Sequence, residues 1–200
     1  MAAAAAKDKG ASRCPRMVLV FSGKRKCGKD YITNEIHKRI GSEKCVIIRL
    51  SGPIKNHWAQ TNSLQLDELL SDGKMKEQHR KAMIEWSENI RFNDHSYFCR
   101  KAIEMYDQNC SKEIWIVSDA RRKTDIAWFK SNYNNLKLIR ITADESTRKE
   151  RGWNFTQGID DAPSECDLDD QLGWDWVVEN NKCDDCNDFI NEIVKIILGD

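Results

Sequence analysis

Apolar residues fall along the chain in two alternating patterns, short unbroken runs and stripes at helical spacing. Met17-Val18-Leu19-Val20-Phe21 is an unbroken run, the pattern of a parallel strand buried on both faces. A glycine-rich turn follows. Ile32, Ile36 and Ile40 then recur every four residues ahead of Gly41, which predicts a helix with one apolar face and a glycine stop. Cys45-Val46-Ile47-Ile48 reads as a second strand, broken by Ser51-Gly52-Pro53. Leu64 to Leu70, Met83 to Trp86, and Ile103 with Met105 mark helical stretches in an insertion over about 55–110 that is rich in Lys, Arg and His. Ile114-Trp115-Ile116-Val117 restores strand character and ends at Ser118-Asp119. A short helix around Ile126, Trp128 and Phe129 leads to a strand over 136–141. Residues 143–170 are polar and turn-rich, which predicts a loop-rich lid. Trp174 to Val178 reads as the last strand, and Phe189, Ile190, Ile193, Val194 and Ile197 as the last helix. Strands alternating with helices predict one α/β domain over 17–200, a central parallel sheet flanked by helices.

The turn after the first strand reads Gly23-Lys24-Arg25-Lys26-Cys27-Gly28-Lys29, a match to G-x-x-x-x-G-K. Glycines let the backbone close around a phosphate, and successive N–H groups then form an anion nest backed by the positive end of the next helix. Lys29 reaches the β- and γ-phosphates in this arrangement. The next residue is Asp30, where the general motif has a hydroxyl. A carboxylate is a hard oxygen ligand, so Asp30 is a candidate for Mg²⁺; its other role is to stabilise the helix start. Three cations inside the loop point to more phosphate nearby than one nucleotide brings; a solvated basic face is their other reading.

Asp119 ends the third strand, the place of the magnesium shell in P-loop enzymes. Capping of the next helix is its other reading, although Thr124 and Asp125 also suit that cap. Arg121 and Arg122 follow at the carboxyl edge of the sheet, where paired guanidinium groups suit bidentate phosphate contacts. The helical insertion adds Lys55, Lys74, Lys76, Arg80, Arg91 and Arg100, and the lid adds Arg148 and Arg151 beside Trp153. A lid arginine can close over a transferring phosphoryl group and exclude water.

Composition narrows the classes. The chain has 200 residues, 40% hydrophobic and 32% charged, with only 3 prolines, which suits one folded domain. Lys plus Arg and Asp plus Glu are equal at 32 each, against a dedicated nucleic-acid binder. Residues 1–16 read as a flexible tail without a signal-peptide core, and no stretch is long enough to span a membrane. With 8 cysteines and no secretory signal, free thiols in the cytosol are expected. Cys183 and Cys186 alone have metal-like spacing, and one such pair is a weak zinc signal. The histidines at 37, 57, 79 and 95 lie far apart and suggest no metal cluster or catalytic triad.

Five motifs go further: Phe21 to Asp30, Arg49-Leu50-Ser51-Gly52-Pro53, Val117-Ser118-Asp119-Ala120-Arg121-Arg122, Arg151-Gly152-Trp153, and Asp175 to Asn180. Together they closely resemble the animal phosphomevalonate kinase family, over nearly the whole chain from about Arg16. The resemblance implies a P-loop fold like that of the nucleoside monophosphate kinases. It implies transfer of the ATP γ-phosphoryl group to 5-phosphomevalonate in isoprenoid and sterol synthesis, by a monomer using ATP and Mg²⁺. It also implies ATP contacts along Gly23, Lys24, Arg25, Lys26, Cys27, Gly28, Lys29 and Asp30, at Arg151, and near Asn181. Lys29, Arg25, Asp30 and Arg151 carry catalysis in this reading, with Asp30 and Asp119 on the metal. Lys55, Arg91, Arg100, Arg121 and Arg122 match basic positions that hold the acceptor's phosphate and carboxylate, and Asn180 faces substrate. Cys27 stands where the family can carry serine, and Asn181 replaces a histidine on the adenine side. Two alternatives stay open on residues alone. One is a nucleoside monophosphate kinase of the same fold. The other is a non-catalytic nucleotide-binding module, which intact Lys29, Asp30, Asp119 and Arg151 argue against.

Overall fold

The computed structural model describes residues 15–71, 74–108, 111–182 and 186–199. Five strands form one parallel sheet: β1 (Met17–Ser22), β2 (Cys45–Ile48), β3 (Ile114–Val117), β4 (Leu136–Thr142) and β5 (Trp176–Glu179), in the order β2-β3-β1-β4-β5. All of β1 is buried, because it lies at the centre and is covered on both faces. That is why its residues form one apolar run instead of alternating. Side-chain alternation still sorts the two faces. Met17, Leu19 and Phe21 join Ile32 and Ile36 of α1 (Lys29–Ile40) and Phe189, Ile190 and Ile193 of α9 (Asn187–Leu198). Val18 and Val20 join Cys99 and Ala102 of α5 (Tyr97–Asp107) and Ile126 and Phe129 of α6 (Lys123–Asn132). Burying one such aliphatic side chain contributes about 1.5–3 kcal/mol. The sheet is therefore held by two cores on opposite faces, and its strand ends are free to carry chemistry.

The helical insertion comprises α2 (Gly52–Asn62), α3 (Leu66–Leu70), α4 (Lys74–Asn93) and α5. Here Ser51-Gly52-Pro53 does more than break β2: Pro53 occupies the first turn of α2, where a missing N–H costs nothing. Segment 143–170, expected to be a loop-rich lid, is less irregular than its sequence suggests, with α7 (Glu145–Glu150) and the short α8 (Pro163–Cys166) inside it. Arg16, read as part of the tail, is tied to the fold: its N–H donates to the Glu113 carbonyl at 2.7 Å and its guanidinium to the Ile197 carbonyl at 2.5 Å. The rest of the tail to residue 14, and the Cys183 half of the Cys-x-x-Cys pair, lie outside the described residues.

The chain leaves β1 toward β2 on one side of the sheet and later reaches β4 on the other. Such a reversal opens a crevice at the carboxyl ends of the strands. The glycine loop after β1, Asp119 after β3 and Arg49 after β2 all stand at that edge.

Candidate active site

The loop from Gly23 to Gly28 has the backbone that an anion nest requires. Gly28 sits at φ +88° and Lys26 at φ +61°, left-handed conformations that break up a regular run and turn N–H groups inward. Gly23 is needed for a different reason: a Cβ there would lie 2.6 Å from both the Cys27 Sγ and the Ile141 carbonyl oxygen. A Cβ on Gly28 would lie 2.1 Å from the Asn180 amide nitrogen. That amide donates to the Cys27 carbonyl at 2.9 Å, and the Arg151 guanidinium donates to the same oxygen at 3.3 Å. Asn180, Arg151 and the loop thus meet at one atom. The neighbouring Asn181 accepts the Asp144 N–H at 2.8 Å, tying the end of β5 to the start of α7.

Lys29 is buried and donates to Asp30 Oδ1 at 2.5 Å. The Asp30 side chain is 74% exposed to the cleft. Partial burial raises its pKa, but Lys29, Arg121 and Arg49 outweigh that and hold it at about 2. Asp119 is 9% exposed, and its two oxygens accept the N–H groups of Leu50 at 2.5 Å and Ser51 at 3.1 Å. It therefore fixes the turn before α2 and does not cap α6. These residues fit Mg²⁺: Asp30 offers an ionised oxygen to the cleft, and Asp119 a second carboxylate oriented by backbone. Mg²⁺ commonly uses one or two carboxylates together with phosphate oxygens and water.

Lys55, in the first turn of α2, faces the same point. Burial, together with Lys76 and Arg49, pushes its pKa down to about 8, while Asp119 and Asp30 oppose the fall. The charges of Asp119 and Asp30 also act on Arg121, whose pKa burial would lower but Glu165 and these aspartates raise. Arg49, to which its motif assigns no role, also belongs to this group; it bonds the Tyr106 hydroxyl, whose pKa is raised by burial. An arginine directly after a strand at the carboxyl edge was the signal available.

The arginines expected to take the acceptor are held unequally. Arg91 donates to Asp125 at 2.6 Å, and Asp125, fully buried, also accepts the N–H groups of Arg121 and Arg122 at 3.0 and 3.1 Å. Asp125 thus organises three of the predicted positions. Arg122 is paired with Glu88. Arg91, Arg122, His95 and Thr124 line a cavity of about 460 Å³ together with Pro163 and Asp167 of the lid. Arg100 is not drawn into this group: it is exposed and pairs with Asp94 at 2.6 Å.

Segment 143–170 brings carboxylates that no motif singles out. Asp160 takes Arg25 at 2.8 Å and the Trp153 indole N–H at 2.9 Å. Asp169 takes Lys24 at 2.6 Å and Arg140 at 2.8 Å. Arg148 stacks 4.1 Å over Trp153 and donates to the Arg25 carbonyl at 2.8 Å. Lys24 and Arg25 of the loop are thus met by the chain's own acids. No local pattern marks which carboxylates of an acidic stretch fold back onto a loop some 140 positions away.

A glycine loop after the central strand, carboxylates at the ends of adjacent segments and the arginines Arg148 and Arg151 on the loop carbonyls define the class: a P-loop kinase. The comparisons agree and narrow it. A family model described as phosphomevalonate kinase matches residues 21–135. A phosphomevalonate kinase of Drosophila melanogaster is 49% identical over 168 residues, covering 82% of this chain and 88% of that protein. A crystal structure from Thermus thermophilus shares the fold at a TM-score of 0.53 and 13% identity, covering 93% of this chain and 97% of its own. The chain belongs to the phosphomevalonate kinase family and is an ATP-dependent kinase.

Proposed function

We propose that the chain transfers the γ-phosphoryl group of ATP to the phosphate of 5-phosphomevalonate, giving ADP and 5-diphosphomevalonate. The observation that carries this reading is the electrostatic cluster in which Lys29, Asp30, Asp119, Arg49, Lys55 and Arg121 act on one another at the carboxyl edge of the sheet. A donor nest on one side and an excess of cations on the other suit two polyanions brought end to end.

The acceptor phosphate is ionised near neutral pH, so the reaction needs no general base. Positioning and charge neutralisation carry it. The loop N–H groups and Lys29 hold the transferring group, and Arg151 neutralises its charge from the lid side. Asp30 and Asp119 would hold Mg²⁺, which supplies further neutralisation of the β- and γ-phosphates. Arg121 and Lys55 take the acceptor phosphate. Arg91 and Arg122, beside the 460 Å³ cavity, suit the carboxylate end, and Arg25 keeps Asp160 until phosphate arrives. Water exclusion by segment 143–170 limits hydrolysis of ATP.

Buried free thiols at Cys27, Cys45 and Cys99 suit a reducing compartment and support the cytosol. No described helix is long and apolar enough to cross a membrane. The test is ADP release with phosphomevalonate, AMP, CMP and dTMP as alternative acceptors. Turnover with phosphomevalonate is expected; phosphorylation of a nucleotide alone rejects the assignment.

A further inference from the structure

Glu165, on α8 of the lid, is only 7% exposed, and it bridges the two halves of the site. Its Oε2 accepts the backbone N–H of Arg25 in the phosphate loop at 2.9 Å. Its Oε1 accepts from the Arg121 guanidinium at 2.8 Å. The same Arg121 nitrogen donates to the Gly23 carbonyl at 3.1 Å. Arg121 is therefore held to the loop by two acceptors on one nitrogen. Its Nε and remaining NH2 group make no hydrogen bond among the described residues, so its outer edge is available to a ligand.

We infer that Glu165 is a positioning residue: it braces Arg121 against the phosphate loop and so sets the spacing between the donor and acceptor phosphates. The inference rests on the function proposed above. A guanidinium on a long stem loses several rotors when fixed, and that ordering weakens any grip it makes on a ligand. An anchored guanidinium has already lost them. In-line transfer is also sensitive to displacements of about 1 Å. Placement on the lid means that Arg121 is fully braced only when α8 is seated, so the acceptor grip is assembled by the same segment that excludes water.

The rest of the lid does not depend on this bridge. Asp160 binds Trp153, Thr156 and Arg25; Asp167 binds the Lys123 N–H; Asp169 binds Lys24 and Arg140. Glu165→Gln is nearly isosteric but replaces one acceptor oxygen by a donor, so either the Arg25 N–H or Arg121 meets a donor.

The experiment is a double-mutant cycle on full-length protein with Glu165→Gln, Arg121→Gln and the pair, measuring kcat/KM for phosphomevalonate and, separately, the Kd of a non-hydrolysable ATP analogue. Glu165→Gln is expected to lower kcat/KM about 10–100-fold, the range for one charge-assisted hydrogen bond, while the analogue Kd moves less than about 3-fold. The double variant should be no worse than Arg121→Gln alone, because both changes remove one linked interaction. Losses that multiply would overturn the brace in favour of an independent structural role, and so would an unchanged Glu165→Gln enzyme. If Glu165→Gln does not fold, Glu165→Asp, which keeps the charge but is one methylene too short to span both donors, takes its place in the cycle with the same criteria. An inert wild type sinks the proposed function and the brace with it; an active wild type with multiplicative losses sinks the brace alone.

Discussion

Replacing Asp125 by asparagine should unsettle fold and acceptor site together. Asp125 is fully buried, with Oδ2 on the Arg121 and Arg122 N–H groups at 3.0 and 3.1 Å and Oδ1 on Arg91 at 2.6 Å. Asparagine has the same shape but one acceptor oxygen. If that oxygen serves the two backbone N–H groups, the amide NH₂ faces Arg91, donor against donor. Arg91, itself 8% exposed, then keeps a buried charge with no counter-charge. Removing one partner of such a pair costs about 3–5 kcal/mol, against a total stability of about 5–15 kcal/mol for a domain. At about 2–4 °C per kcal/mol for a chain of this size, Tm should fall by roughly 6–20 °C. Removing the arginine as well, in Asp125→Asn with Arg91→Met, should restore part of the loss. Thermal and urea unfolding by circular dichroism read the stability, and the acceptor KM reads the site. A Tm shift below about 2 °C with an unchanged KM would show that Asp125 does not organise these arginines.

Lys29→Met should lower kcat roughly 10²–10³-fold, the effect of removing one preorganised donor from developing charge, with little change in Tm; a loss confined to acceptor KM would contradict its role at the donor. Gly28→Ala should destabilise by about 1–2 kcal/mol from the left-handed φ alone, and should also weaken nucleotide binding because its Cβ displaces Asn180. Tight binding of an ATP analogue by that variant would disprove the loop geometry. Lys55 is charged below its pKa of about 8 and neutral above it, so kcat/KM for the acceptor should fall as pH rises through about 8. Lys55→Arg, which stays charged, should flatten that limb; a limb that persists belongs to another group. Asp30, held near 2, is ionised at every working pH and should add no acid limb above pH ~4.

Elements and class were legible because they rest on local rules. The all-apolar run of β1 follows from burial on both faces, the stripe Ile32, Ile36, Ile40 from helical spacing, and the phosphate loop from glycines that backbone closure demands. Boundaries were less so. Arg16 looked like tail because nothing nearby shows that Glu113 and Ile197 await it. Asp119 offered two roles, and the structure adds a third, holding the N–H groups of Leu50 and Ser51, because those partners lie in the turn after another strand, 69 and 68 positions away.

The sequence by itself determined the sheet, the donor loop and the stock of cations, since periodicity and short motifs depend on neighbours a few positions apart. Only the tertiary structure decided which cations remain available. Arg91 goes to Asp125, Arg122 to Glu88, Arg25 to Asp160 and Arg100 to Asp94, while Arg121 is anchored on one nitrogen with its outer edge open. Charge pairing is set by distance and burial after folding, and most of these partners sit 34 or more positions apart, beyond the reach of any local pattern.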